Sequence, residues 1–319
     1  MTTATPAHRW RRALALGAVG LLVLAGCSQN KDSEGSSTTK AGDTETTAAG
    51  GDAGATKIRI SSQDFSEQKT LAQVYGQYLE AQGFDVDIQE PIGTRTQIYA
   101  ALDKGTVDLV LDYEGSATVE LGGKASSDAD ATFETLSGLL ADKDLVAATA
   151  SEAADANALV ALKSWADENQ VTSISDLAGL DGPLTLGGAA ECASRPDCLL
   201  GYQDTYGLKL EFKAVDYGPP LVTALQAGEI QLAQYGTTAP EVADGTIVAL
   251  EDDKGLESAE NVVPVYRSAV ASEELQAALD KVSEVLTTAD LAAWNKATDV
   301  DKEDPADVAQ AWLEDKGLL

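Results

Sequence analysis

Histidine is all but missing from this chain: one residue in 319, His8, near the amino terminus. Without it no Ser–His–Asp or Cys–His nucleophilic system can be assembled in the body of the chain. Imidazole-based metal sites go the same way, and we expect neither a metal nor a cofactor. Basic residues are scarce too, 22 Lys and Arg against 52 Asp and Glu, for a formal net charge of −30. Nucleic acid needs a basic surface, so it is excluded as a partner. Carboxylates are so numerous that no pair stands out as an acid–base couple. No phosphate-cradling glycine loop is present; Gly187-Gly188 follows a strand but lacks the rest of a nucleotide fingerprint. These absences weaken every enzyme reading, and we expect no enzyme, although paired carboxylates stay possible in so acidic a chain.

Long apolar runs are also lacking. The one sizeable run, Ala13 to Leu24, is too short to span a bilayer comfortably. It follows Arg9, Arg11 and Arg12 and ends in Leu24-Ala25-Gly26-Cys27. That arrangement reads as a lipoprotein signal peptide, residues 1–26, cleaved before a lipidated Cys27. The residues flanking Arg11-Arg12 do not support twin-arginine export. A lipid on Cys27 would hold the chain at the outer face of the cytoplasmic membrane. Residues 27–56 are mostly Ser, Thr, Gly, Ala and acidic residues, with almost nothing to bury, and read as a flexible tether. The folded body starts near Lys57 and is long enough for a large core. Of the three cysteines, Cys192 and Cys198 remain after Cys27. Outside the cytoplasm so close a pair is expected as a disulfide, and a small loop of this kind adds ~2 kcal/mol.

Two stretches of the body repeat one another. Ala101-Leu102-Asp103-Lys104-Gly105 runs through Asp108 to Tyr113, and Ala224-Leu225-Gln226-Ala227-Gly228 runs through Gln231 to Tyr235. Each reads as a helix end, a glycine C-cap, a buried strand and a tyrosine near the strand's carboxyl end. Ligands of open α/β sheets sit beyond those ends, so two such units suggest two lobes facing one cleft. Around them, apolar periodicity predicts strands at 57–61, 84–88, 107–111, 158–162, 183–186, 210–215, 246–250 and 262–265. Helices are expected between them, with parallel crossovers. Asp64 with Glu67 resembles a capping box, Gly93-Thr94-Arg95 opens a second helix, and Asp304-Pro305 opens a carboxyl-terminal one closed by Gly317. Trp294 and Trp312 are expected in the core.

In order along residues 58–123 and 184–319, the chain resembles the substrate-binding lipoproteins of ABC importers for glycine betaine, choline and related osmoprotectants. The segments that carry this are Ser62-Gln63-Asp64-Phe65-Ser66-Glu67-Gln68, Gly93-Thr94-Arg95 through Tyr99, and Asp112-Tyr113-Glu114-Gly115-Ser116. The cysteine loop, Tyr206-Gly207-Leu208 and Val248 through Lys254 are similar to an actinobacterial branch. The resemblance implies a type II periplasmic-binding-protein fold of α/β class. It has two lobes, 57–158 plus 263–319 and 159–262, two crossover strands and a ligand cleft between them. It also implies a small-molecule solute, permease and ATPase subunits as partners, and a monomer. A quaternary ammonium is best held by aromatic faces, with Tyr113, Tyr217 and Tyr235 as candidates. Asp64, Phe65, Arg95 and Thr237 complete the expected site, Arg95 serving either a ligand carboxylate or a structural ion pair. The chain departs from the family pattern at Ala154-Asp155-Ala156-Asn157 and Gly236-Thr237-Thr238. A lipid-anchored sensing or scaffolding protein is the alternative reading.

Overall fold

Short β-branched and leucine-rich runs alternate with amphipathic stretches, and the computed structural model, which describes residues 57–319, folds them into two five-stranded sheets. The signal peptide, Cys27 and the tether lie outside the described residues. The first run contains β1 (Ile58–Ile60), α1 (Ser66–Ala81), β2 (Val86–Ile88), α2 (Arg95–Lys104), β3 (Leu109–Tyr113), α3 (Glu114–Glu120), α4 (Ala129–Ala141) and β4 (Leu145–Ala147). The second contains β5 (Asn157–Leu162), α5 (Lys163–Asn169), β6 (Leu184–Gly188), α6 (Leu199–Tyr206), β7 (Leu210–Ala214), α7 (Pro219–Gln226), β8 (Leu232–Gly236), α8 (Pro240–Ala243) and β9 (Ile247–Ala249). The chain then returns with β10 (Val262–Arg267), α9 (Glu273–Ser283), α10 (Thr288–Asn295) and α11 (Pro305–Asp315).

The sheets share one topology. The orders are β2-β1-β3-β10-β4 and β7-β6-β8-β5-β9. In each, four strands point the same way and the fourth in the order runs antiparallel to both its neighbours. The expected parallel pairings are β1 with β2 and β3 and β6 with β7 and β8, while β10 and β5 run against their neighbours. The run at 158–162 is β5, a strand of the second sheet between β8 and β9. The run at 262–265 is likewise a full strand between β3 and β4. The connections themselves are the non-strand segments 148–156 and 250–261, joined by an Ala154–Asn261 bridge and by Asp155 N–H donating to Glu260 O at 3.1 Å.

The core follows the periodicity. Leu71, Val74, Tyr75, Tyr78 and Leu79 of α1 are buried with Val308, Ala309, Trp312 and Leu313 of α11. Asp304 caps α11 by accepting from Ala306 N–H, and Pro305 occupies its first turn. Trp294 and Trp312 meet edge to face at 5.2 Å, both buried, a geometry suited to the aromatic quadrupole. Cys192 and Cys198 are joined in a disulfide with their Cα atoms 5.3 Å apart. The start of α1 differs from expectation. Phe65, not Asp64, is the N-cap, and it makes no side-chain cap. Asp64 instead pairs with Lys69 at 2.7 Å, and Glu67 is buried.

The repeat is a structural device as much as a functional one. Asp108 Oδ2 accepts from Arg59 N–H at 3.0 Å, and Gln231 Oε1 accepts from Thr185 N–H at 3.1 Å. In both sheets this residue, just before the central strand, ties down the backbone of its parallel neighbour. Asp108 does more, because Arg59 Nε at 2.6 Å and Arg267 Nη1 at 3.2 Å join β1, β3 and β10 through one carboxylate. Burial opposes its ionisation, yet the two arginines hold it below the usual carboxylate range. Asp108→Ala should therefore cost ~2–3 kcal/mol of unfolding free energy in urea titrations, since two guanidiniums lose their partner. Gln231→Ala should cost only ~1 kcal/mol. Equal costs would show that the ion pairs add nothing beyond the backbone tie.

Candidate functional site

The sheet-to-helix turns at the carboxyl ends of β1 and β8 face each other across a cavity of about 600 Å³. One wall is the start of α1, with Asp64, Phe65, Ser66 and Glu67. Opposite stand Tyr217 and Pro219 at the entry to α7, Tyr235 and Gly236 at the end of β8, and Thr238 to Glu241 leading into α8. Asp155 reaches in from the connecting segment, and Asn295, Asp299 and Val300 close the end. A depression of about 460 Å³ on the other side of Asp64 and Lys69 has no aromatic wall.

The aromatic part is a pair. The rings of Tyr217 and Tyr235 lie 4.9 Å apart, tilted by 34°. Tyr235 is buried, whereas Tyr217 is 62 % exposed and Phe65 across the cavity 42 %. Large apolar surface left open inside a cleft is unpartnered surface. Gly236 permits the arrangement, because a Cβ there would come within 3.2 Å of the Tyr217 hydroxyl.

The polar part is acidic. Glu67, fully withdrawn from solvent, accepts from Tyr113 Oη at 2.6 Å and from Asn295 Nδ2 at 2.5 Å. Burial, reinforced by the charge of Asp155, pushes its carboxyl up to about 7. Asp155 is itself raised by burial and accepts from Thr238 Oγ1 at 2.8 Å. Glu241 approaches the Tyr235 hydroxyl at 3.5 Å. The cationic side chain of the lining is Lys69, already paired with Asp64. Such a surface attracts a cation and offers it π-faces.

Four of the expected site residues, Asp64, Phe65, Tyr217 and Tyr235, come together in this cavity. Tyr113 stands behind Glu67 and presents its hydroxyl to that carboxylate. Arg95 is elsewhere, its Nε on Asp112 at 2.9 Å, which realises the structural ion pair. Thr237 faces a separate cavity at the connecting segments, and its Oγ1 accepts from Ala156 N–H and donates to Ala154 O. The two repeat tyrosines are not equivalent. Tyr113 lies five residues after Asp108 and Tyr235 four after Gln231. Strand side chains alternate, so Tyr113 packs toward α1 and Tyr235 toward α7; the strand position matching Tyr235 is Asp112. Sequence reasoning did not name Thr238, Glu241 or Asn295 as site residues. Asp155 was visible as a departure from the family pattern, but Asn295 had no local signal.

Residues 56–315 match the family model described as the substrate binding domain of ABC-type glycine betaine transport systems. The chain belongs to this family. It is 29% identical over 286 residues to a glycine-betaine-binding protein of Pseudomonas aeruginosa, spanning 85% of this chain and 91% of the relative. It is 26% identical over 280 residues to the glycine betaine-binding protein YehZ of Escherichia coli, spanning 82% and 92%. Apo YehZ superposes with a TM-score of 0.75 at 24% identity, over 83% of this chain and 100% of that one. A structure titled as a glycine betaine/carnitine/choline ABC transporter gives 0.76 at 20%, over 82% and 99%. The fold is that of the periplasmic binding proteins. The family is one of extracytoplasmic substrate-binding proteins of importers, not of enzymes.

The buried acids give the protein a pH signature. A carboxyl near 7 in the fold but ordinary when unfolded binds more protons folded, so stability falls as pH rises from about 4.5 through 7. Glu67 contributes to this, as do Glu114 and Glu257, both raised to about 7 chiefly by burial. Glu67→Gln should flatten the fall in Tm between about pH 5 and 8. An unchanged slope would mean that the carboxyl ionises in the fold without penalty.

Proposed function

We propose that this chain is the lipid-anchored solute receptor of an ABC importer. In this reading it captures a quaternary ammonium osmoprotectant in the cleft and delivers it to the permease and ATPase. The observation that carries the ligand class is the Tyr217–Tyr235 pair facing exposed Phe65 across a carboxylate-lined cavity. A quaternary ammonium has no hydrogen to donate and a diffuse charge. Aromatic faces hold it at ~1–2 kcal/mol each when water is excluded, and nearby carboxylates offset the cost of burying it. Its relatives are named for glycine betaine, and the cavity is ample for a molecule of that size.

Closure supplies the coupling. The body carrying the first sheet contributes Phe65, Glu67 and Asn295, and the body carrying the second contributes Tyr217, Tyr235 and Thr238. We read these bodies as two lobes that hinge on the paired segments 148–156 and 250–261, so that a bound cation draws the walls together. The lipid on Cys27, with residues 27–56 as tether, keeps the receptor beside its permease.

Isothermal calorimetry of the purified chain against glycine betaine, choline, carnitine and proline betaine tests the ligand class. At least one should bind, and Tyr217→Ala and Tyr235→Ala should each weaken it by about tenfold or more. Silence with all four ligands, or both variants binding normally, would remove the aromatic cage. Cys27→Ser should abolish incorporation of radiolabelled palmitate into the chain; labelling at the level of the unaltered chain would sink the anchor.

A further inference from the structure

Most side-chain donors around the cleft are already committed, the buried amide of Gln68 behind the lining being one exception. Tyr113 Oη and Asn295 Nδ2 serve Glu67, and Asn295 Nδ2 also reaches Thr238 O at 3.0 Å. Thr238 Oγ1 serves Asp155, Ser66 Oγ serves Asp299 at 2.5 Å, and Tyr235 Oη points to Glu241. Lys69 is taken by Asp64 and Arg95 by Asp112, away from the cavity. What remains for an anion is the Tyr217 hydroxyl, the amides leading into α8, whose first turn carries Glu241, and those at the uncapped start of α1. The α1 amides are flanked by Asp64 and hold Glu67 in their first turn.

From this we infer that the cleft selects a quaternary ammonium that is a net cation, of the choline type, over one that carries its own carboxylate. The inference rests on the ligand class proposed above and narrows it. A betaine's two charges lie within one small molecule, so seating the ammonium between Tyr217, Tyr235 and Phe65 brings the carboxylate into the same cavity. There it meets Asp155, Glu241 and the partly protonated Glu67 without a guanidinium to receive it. Like charges drawn out of water repel strongly, and a desolvated carboxylate without donors is costly. A net cation meets none of these penalties and neutralises part of the acidic wall. The field of a chain with net charge −30 favours its approach as well.

Four probes separate charge from shape. Choline and glycine betaine are compared by calorimetry with the methyl ester of glycine betaine, which keeps the ammonium but loses the anion. The neutral carbon isostere 3,3-dimethylbutanol completes the set. Choline and the ester should bind about tenfold or more tighter than glycine betaine, and dimethylbutanol more weakly than choline by a similar factor. Asp155→Asn and Glu67→Gln should each shrink the choline-to-betaine ratio, by loss of choline affinity. Glycine betaine binding as tightly as choline overturns the charge selection and leaves the aromatic cage standing. Failure of every quaternary ammonium to bind overturns both. A ratio unmoved by either variant removes these carboxylates as its source.

Discussion

A carboxylate that has no water around it has to be held by protein, and Glu67 shows how much structure that requires. Tyr113 from β3 and Asn295 from the end of α10 bring their donors to it. Asn295 reaches onward to the carbonyl of Thr238, on the far side of the cleft. One buried acid thus fixes the start of α1 against the end of the central strand and touches the opposing wall through a single amide. Hydrogen bonds to a charged or partly charged group are the strong ones, which is why so small a set of contacts can set the geometry.

Much of this was legible in the sequence, because it depends on local pattern. Apolar spacing in α1 and the Asp304-Pro305 start of α11 each have a mechanism that acts over a few residues. The repeated helix–glycine–strand unit does too, with Gly105 and Gly228 both at positive φ. The antiparallel strands β5 and β10 were hidden, since direction depends on where the chain goes next and not on composition. The mismatch of Tyr113 and Tyr235 was hidden in a different way. The two stretches align by eye, but a one-residue offset in a strand changes the face.

The site itself was half visible. Aromatic residues beside turns announced themselves, and the family pattern pointed to the same turns. Acidic function did not, because 52 carboxylates conceal the few that matter. Glu67 passed for a helix cap, which its position three residues after Asp64 allowed. Its real role comes from Asn295, more than two hundred residues away. The departure at Asp155 has a physical counterpart, because its carboxylate is held by Thr238, inside the other departing segment. The two departing stretches are neighbours in the fold, Asn157 pairing with Gly236 in the second sheet.

The order of the strands also dictates an order of events. The second sheet is drawn from one continuous stretch, β5 to β9, and can be completed as soon as that stretch is available. The first sheet cannot. Its strand β10 fills the gap between β3 and β4, and α11 covers α1, yet both come from the last part of the chain. Until they arrive, β3 and β4 present bare hydrogen-bonding edges and α1 an uncovered apolar face, the features that invite wrong partners. A chain emerging amino terminus first therefore finishes its second half before its first, and its early segments wait longest in the open.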